Sequence, residues 1–230
     1  MSETKTISEA TEVIQNNLDY TLFSWSKQKG IVPIAVKYAE GVYLYDYDDK
    51  RYIDFSSGLM NVNIGHGNQR ITEAVVKQMQ EVSYVTPSCV TKVRGELGKK
   101  LAEICPGDLN KAFFTLCGAT SIENAIKLAR LYTGRHKILT RYQSYHGASI
   151  GAISASGDPR RLPVDAQQAP NFVHFDLPYA YRWEYGEESL LKETVAQLER
   201  MIAYEGAGNI AAILLEGESG SSGCLQYPVG

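Results

Sequence analysis

Two spacings of apolar residues recur along this chain, one typical of helices and one typical of strands. Apolar residues three or four positions apart predict amphipathic helices at 69–82, 92–104 and 187–204. Short apolar or β-branched runs predict strands at 112–116, 137–142, 151–155, 171–175 and 210–216. Strands that alternate with helices predict an α/β fold, with a mostly parallel sheet covered by helices on both faces.

The first 70 residues have a different pattern. Residues 1–19 carry a few spaced apolar positions and predict either a short helix or a frayed terminus. A β-hairpin is predicted over 42–54, where an acidic turn, Asp48-Asp49-Lys50, is flanked by tyrosines on both sides.

The strand predicted at 112–116 leads into a turn of small residues, Cys117-Gly118-Ala119, and then directly into a helix. Thr120 and Glu123 fit a capping box, so the helix is predicted to begin at Thr120. A helix that starts this way directs free backbone N–H groups and its positive dipole end at one point, which suits a phosphate ester. The alternative is a glycine that only turns the chain between a strand and a helix.

A second loop, Tyr145-His146-Gly147, follows the strand predicted at 137–142. An aromatic ring beside an anion site suits a flat, phosphorylated, aromatic cofactor, because the ring can stack on the cofactor while the helix holds the phosphate. Tyr145 could instead be an aromatic core residue.

Net charge and the distribution of apolar runs limit the partners that are expected for this protein. The net charge of −3 and the pI of about 5.9 give no basic surface, so nucleic acid and anionic membranes are not expected partners. The longest apolar run, 210–215, is interpreted as a buried strand, and the first residues lack the apolar core of a signal peptide.

No metal site is predicted. The cysteines lack CxxC spacing and are interpreted as reduced thiols in the cytoplasm, at Cys89, Cys105, Cys117 and Cys224. His66, between two glycines, is interpreted as a structural loop residue.

The chain resembles the class III aminotransferases, pyridoxal phosphate (PLP) enzymes that act on ω-amino acids, taurine, ornithine and simple amines. Stretches in family order carry the resemblance: 39–46, 51–58, Gly65-His66-Gly67, Phe113-Phe114-Thr115, 123–127, 132–135, Tyr145-His146-Gly147 and 213–216. Three further segments are similar to taurine- or β-alanine-pyruvate transaminases: 23–26, 157–161 and 179–182.

The resemblance implies the PLP-dependent transferase fold of type I, with a mostly parallel mixed sheet. Residues 1–70 would then belong to the small domain, with the hairpin, and residues 71–230 to the first part of the large PLP-binding domain. It also implies a homodimer or homotetramer with shared active sites. The substrates would be a small-molecule amine and a keto acid.

The resemblance also assigns site residues. Gly118 and Ala119 would bind the cofactor phosphate through backbone N–H groups, Tyr145 would stack on the pyridine ring, and Glu216 would support the cofactor. Glu216 could instead cap the adjoining loop. His146 is interpreted as shaping the loop rather than as an acid–base catalyst.

Two positions depart from the family pattern, which has a serine where Cys117 stands and an acid where Thr120 stands. A thiol is a weaker hydrogen-bonding group than the hydroxyl, although Thr120 or Ser121 could supply a hydroxyl instead. Trp25 and Met60 match segments that help line the substrate pocket in relatives. Both could equally be core or interface residues.

The lysine that binds PLP covalently in this family, and the aspartate that pairs with the pyridine nitrogen, are expected beyond residue 230. The chain is therefore interpreted as the N-terminal half of an aminotransferase, inactive alone. The alternatives are a catalytically silent, cofactor-holding half of a split enzyme, or part of a PLP-dependent aminomutase or decarboxylase.

Overall fold

The computed structural model describes residues 8–228. The chain divides into two compact units, Met1–Gly95 and Glu96–Gly230. The division falls inside helix α4 (Lys92–Ile104), whose predicted bounds are confirmed. The assignment of residues 1–70 and 71–230 to a small and a large domain stays a prediction.

The first unit contains a three-stranded antiparallel sheet in the order β1-β2-β3. Its strands are β1 (Val36–Glu40), β2 (Tyr43–Asp46) and β3 (Arg51–Ile53), so the predicted hairpin is confirmed and a third strand joins it. The helices of this unit are α1 (Glu9–Tyr20), α2 (Ser57–Met60) and α3 (Gln69–Glu81). The helix predicted at 69–82 is thus confirmed, and the terminal segment is helical from Glu9.

The acidic turn of the hairpin is organised by Asp46. Its Oδ1 accepts hydrogen bonds from the backbone N–H groups of Asp48 and Lys50, at 3.0 and 2.9 Å. Its Oδ2 accepts from the hydroxyl of Tyr52 at 2.8 Å, and that hydrogen bond lowers the pKa of Asp46. A charged acceptor therefore satisfies the donors of the turn.

The second unit is built around a parallel sheet in the order β5-β4-β6. Its strands are β4 (Lys137–Arg141), β5 (Phe172–Phe175) and β6 (Ile210–Ile213). Its helices are α5 (Gly118–Thr133), α6 (Ile150–Ala155) and α7 (Glu187–Glu205), with 3₁₀ turns at Pro159–Gln167, Ala180–Arg182, Ala207–Asn209 and Gly220–Ser222. The helix predicted at 187–204 and the strands predicted at 137–142 and 171–175 are confirmed.

The core of this unit lies between α5 and the central strand. Ile126 of α5 and Ile138 of β4 are buried together with Ala155. β6, which is an edge strand among the described residues, is only half-buried, and Ile213 is exposed. The prediction of a buried strand over 210–216 is therefore correct for the strand at 210–213 and wrong for its burial.

The prediction of a strand at 112–116 is wrong. These residues form no β-ladder with any described strand, and the side chains of Phe113 and Phe114 are exposed. Aromatic and β-branched residues favour extended backbone, but a strand also needs a neighbour to accept its hydrogen bonds. The run supplies only the first condition.

The prediction of a strand at 151–155 is also wrong, because these residues form the buried helix α6. A short apolar run is ambiguous between strand and helix, and contacts outside the run decide. Here the Oε1 atom of Glu123 accepts hydrogen bonds from the N–H groups of Gly151 and Ala152, at 2.8 and 3.2 Å, and from Ser149 Oγ at 2.6 Å. A carboxylate on α5 thus caps the start of α6.

Replacing this capping carboxylate is expected to destabilise the protein. Glu123→Ala should lower the free energy of unfolding by about 2 kcal/mol, since three donors lose their charged acceptor. The matched control is Glu193→Ala on α7, which removes only an exposed ion pair with Arg200. The control should cost less than about 0.5 kcal/mol in urea titrations. Equal losses in the two variants would contradict the capping role.

Candidate functional site

Helix α5 begins at Gly118, two residues before the predicted start. Cys117 is the N-cap residue, with the extended backbone that this position requires (φ −162°, ψ 169°). Thr120 therefore lies inside the first turn, where its hydroxyl is 3.3 Å from Cys117 Sγ. The predicted capping box between Thr120 and Glu123 is wrong, because the Glu123 carboxylate binds α6 instead.

The first turn of α5 is open to solvent. Cys117, Gly118 and Thr120 are exposed, and a Cβ atom placed on Gly118 would meet nothing within 4 Å. The hydroxyl of Thr120 and the N–H groups of the turn lower the pKa of the Cys117 thiol. The start of this 16-residue helix thus favours negative charge, as the helix dipole requires.

The loop Tyr145-His146-Gly147 lies directly against this turn. Gly147 has φ +136°, and a Cβ atom on it would be 2.6 Å from Ala119 Cβ and 3.0 Å from Ala152 Cβ. Only glycine allows so close an approach in this conformation. The structure therefore brings together the two segments that the sequence analysis singled out, the helix start and the aromatic loop.

His146 is buried in the wall of this loop. Its backbone N–H donates to Ser156 Oγ at 2.9 Å. Thr140 Oγ1 donates its hydrogen to the carbonyl of Ala155 at 2.7 Å, so in its 3.4 Å contact with His146 Nε2 the ring N–H is the donor. Burial lowers the pKa of His146, which favours the neutral imidazole. These contacts suit a residue that shapes the loop.

Glu216 lies three residues after β6, at the carboxyl end of the sheet, and its carboxylate is held from three sides. Oε2 accepts from Arg141 Nη2 and Ser219 Oγ, both at 3.0 Å, and Oε1 accepts from the backbone N–H of Tyr145 at 3.3 Å. The side chain of Arg141 is 1% exposed and that of Glu216 is 18% exposed. Glu216 therefore links the end of the sheet to the backbone of the aromatic loop.

Two residues of this site were missed by the sequence analysis. Arg141 ends the buried strand β4, and a charged residue at the carboxyl end of a buried strand is the same signal that singled out Glu216. Arg160, whose guanidinium carbon is 3.9 Å from the ring centroid of Tyr145, lies in a segment noted only for its family resemblance.

Trp25 and Met60 belong to the unit Met1–Gly95, and both are exposed. Met60 ends a left-handed turn in which Ser57, Gly58, Leu59 and Met60 have φ values between 49° and 65°. Left-handed backbone is costly for residues other than glycine. The role of Trp25 and Met60 in a substrate pocket stays a prediction.

The left-handed turn is held by Asp54, which accepts from the N–H of Gly58 at 3.0 Å and contacts His66 Nε2 at 2.8 Å. The Gly58 N–H is the main cause of the lowered pKa of Asp54, followed by His66. Both backbone groups of His66 are hydrogen bonded to Gly41. His66 thus has the contacts of a structural loop residue.

Residues 8–228 contain no group of three or more histidine, cysteine, aspartate or glutamate side chains arranged to hold a metal ion. In the same range, no helix combines the length and the apolar character needed to cross a bilayer. The groups that the structure places at the α5 site are an exposed helix start, an aromatic ring and a fixed carboxylate. This set fits a phosphorylated aromatic molecule.

Comparison with solved structures also identifies a relative that binds a phosphorylated aromatic molecule. A taurine:2-oxoglutarate aminotransferase from Bifidobacterium kashiwanohense, solved in complex with PLP and glutamate, superposes with a TM-score of 0.92 at 38% identity. The match covers 98% of this chain and 52% of that one. The predicted fold class, the PLP-dependent transferase fold of type I, is confirmed by this similarity.

Two curated sequences that are similar to this chain are also aminotransferases. The taurine–pyruvate aminotransferase of Bilophila wadsworthia is 30% identical over 96% of this chain and 50% of its own length. An uncharacterized aminotransferase of Bacillus subtilis is 35% identical over 84% of this chain and 46% of its own length. The chain thus spans about half the length of the relatives that it matches.

The family model for class III aminotransferases matches residues 24–230, nearly the whole of the sequence. The motifs at 113–115, 123–127 and 145–147 fall within this match, and the structure places the first turn of α5 beside the aromatic loop. On this evidence, the chain belongs to the class III aminotransferase family.

Proposed function

We propose that this chain supplies the cofactor-binding part of an enzyme that moves an amino group from an ω-amino acid or primary amine to pyruvate or another keto acid. One observation carries the proposal. Gly147 packs against Ala119, so that the aromatic loop and the exposed start of α5 form one site at the carboxyl end of the parallel sheet. Ligands of open α/β sheets bind at this edge.

The predicted cofactor, PLP, is confirmed at the level of the family by the family match and by the PLP bound in the Bifidobacterium relative. We assign the phosphate to the backbone N–H groups of Gly118 and Ala119, with Thr120 as a hydroxyl donor. The ring of Tyr145 would stack on the pyridine, and Glu216 would stand behind the loop that carries Tyr145. Cys117 would contribute a weaker contact than a serine.

When bound, PLP supplies an electron sink that stabilises negative charge left on the substrate carbon when a proton departs. The residues of this chain do the binding and the positioning. The start of α5 neutralises part of the phosphate charge, and the ring of Tyr145 keeps water from one side of the cofactor. His146 contacts Thr140 through Nε2 and shapes the loop.

The proposal places the covalent lysine outside residues 1–230, following the family resemblance. In the same proposal, the active enzyme is a homodimer or homotetramer, and a neighbouring subunit adds to the phosphate site. Taurine or β-alanine is the proposed amine donor and pyruvate the proposed acceptor. The relatives that bear such names support the donor class.

The proposal predicts that the full-length protein, loaded with PLP, forms alanine from pyruvate when taurine or β-alanine is supplied. Alanine should be quantified by mass spectrometry with ¹⁵N-labelled donor, because the label must appear in the product. Borohydride treatment of the loaded protein, followed by peptide mapping, should mark no single lysine among residues 1–230.

Other outcomes separate the alternatives. An isomerised donor without alanine would indicate an aminomutase, and CO₂ release would indicate a decarboxylase. One stoichiometrically modified lysine within residues 1–230 would overturn the placement of the covalent lysine. PLP binding without turnover of any donor would favour the catalytically silent half of a split enzyme.

A further inference from the structure

The ring of Tyr145 is in contact with a cation of the same unit. The guanidinium carbon of Arg160 lies 3.9 Å from the ring centroid, well inside the range of about 6 Å over which cation–π attraction acts. At this distance the guanidinium lies over one face of the ring. The orientation of the Tyr145 ring therefore depends on the contact with Arg160 as well as on the backbone of the loop that carries it.

Arg160 is itself held by Asp158. Arg160 Nε is 2.7 Å from Asp158 Oδ1 and Nη2 is 3.0 Å from Oδ2, the two-pronged geometry in which a guanidinium binds a carboxylate most strongly. The backbone N–H of Arg160 also donates to Asp158 Oδ1 at 2.8 Å. The side chain of Asp158 is only 13% exposed, so the pair is partly shielded from solvent.

The segment that carries this pair is bound to the segment that carries Tyr145. The N–H groups of Gly157 and Asp158 both donate to the carbonyl of Ser144 at 3.0 Å, and the N–H of Gln143 donates to the carbonyl of Gly157 at 3.0 Å. A Cβ atom on Gly157 would overlap the carbonyl oxygen of Arg141. Arg160 and Tyr145 are thus fixed relative to each other by short backbone connections.

We propose that Arg160 is a positioning residue that orients the ring of Tyr145 for stacking on the cofactor, and that Asp158 fixes the guanidinium for this task. The inference rests on the proposed function, since it needs Tyr145 to be the ring that the cofactor meets. A ring oriented before binding loses less side-chain freedom when the cofactor arrives, which strengthens binding. Arg160 acts through Tyr145 rather than on the phosphate.

The test uses the full-length holoenzyme and measures the PLP dissociation constant together with the circular dichroism of the bound cofactor. Arg160→Met should weaken PLP binding by about three- to tenfold, the range expected for a partly shielded cation–π contact. It should also reduce the dichroism band, which reports how the cofactor ring is oriented. Arg160→Lys should recover only part of the affinity lost in Arg160→Met, because lysine keeps the cation but lacks the flat, forked group that Asp158 holds.

The matched control is Arg161→Met. Arg161 is the next residue, carries the same charge and pairs with Asp165, and its guanidinium is 5.9 Å from a different ring, that of Tyr142. This variant should change PLP affinity by less than about twofold, since the Arg161 guanidinium contacts the ring of Tyr142 and the carboxylate of Asp165. An equal loss of affinity in Arg161→Met and Arg160→Met would overturn the proposal, because net charge alone would then explain the effect.

A double-mutant cycle separates this inference from the proposed function. Tyr145→Ala should weaken PLP binding, and adding Arg160→Met to it should cause no further loss. Unchanged affinity in Tyr145→Ala would refute the assignment of Tyr145 and the role of Arg160 with it. A normal loss in Tyr145→Ala, with a full additional loss from Arg160→Met, would overturn only the role of Arg160. Asp158→Asn, which keeps the side-chain shape, should show a smaller loss, and serves if Arg160→Met does not fold.

Discussion

Gly118→Val is expected to abolish most PLP binding while leaving the fold intact. A branched side chain on the first turn of α5 would occupy the space in which the phosphate must approach the backbone N–H groups. Losing charge-assisted hydrogen bonds worth roughly 2.8 kcal/mol corresponds to about 100-fold weaker binding. The fold should survive because a Cβ atom on Gly118 meets no neighbouring atom within 4 Å and the residue is helical.

The matched control for this change is Gly98→Val in α4. Gly98 is also helical, and a Cβ atom on it meets nothing within 4 Å. Both variants should unfold within about 1 kcal/mol of the parent protein in urea, since valine and glycine have similar helix propensities. PLP affinity, measured by the visible absorption of the bound cofactor, should fall only in Gly118→Val. Parental affinity in that variant would remove the first turn of α5 from the site.

Helices with a regular apolar face were well predicted from sequence, whereas short apolar runs were not. The helix at 92–104 was predicted to the residue, because its spacing repeats over 13 residues and Pro106-Gly107 ends it. The run at 151–155 gives too few residues to show a period, and its helix depends on a carboxylate 28 residues earlier in the sequence, that of Glu123. Such a contact cannot be read from local spacing.

The sequence predicted the helix start and the aromatic loop of the candidate site, but it did not predict the charged side chains that contact them. Gly118 and Tyr145 were singled out as candidates because glycine turns and aromatic loops have local signatures. Arg141 and Arg160 were not singled out because their contacts depend on which partners the fold brings to them, Glu216 in one case and the ring of Tyr145 in the other. Arg141 carries a local signal, a charged residue at the end of a buried strand, but its partner cannot be read from the sequence.

The start of α5 was predicted two residues too late because a tertiary contact decides which partners the carboxylate of Glu123 takes. Thr120 and Glu123 have the residue types and the spacing of a capping box, but Cys117 takes the extended conformation and becomes the N-cap. The carboxylate of Glu123 is then drawn to the three donors at the start of α6. Two possible uses of one carboxylate compete, and the tertiary contact wins because it satisfies more donors.

Glu216→Ala is expected to be the most destabilising substitution at this site. It would leave the guanidinium of Arg141, 1% exposed, without its carboxylate. Nε and Nη1 of Arg141 already lack a hydrogen-bond partner among residues 8–228, so the remaining contacts cannot compensate. Breaking a buried ion pair from one side costs about 3–5 kcal/mol, and the free energy of unfolding from urea titration should fall by that amount.

Two further variants make this expectation specific to the buried charge. Glu205→Ala breaks the Lys137–Glu205 pair, whose side chains are 26% and 30% exposed, and should cost about 1 kcal/mol because water can solvate the lysine left behind. The double variant Arg141→Met/Glu216→Leu removes both charges and should recover most of the stability lost in Glu216→Ala. PLP affinity should be reduced in Glu216→Ala and in the double variant alike, since the backbone N–H of Tyr145 lacks its acceptor in both. If Glu216→Ala costs no more than Glu205→Ala, the pair does not stabilise the site.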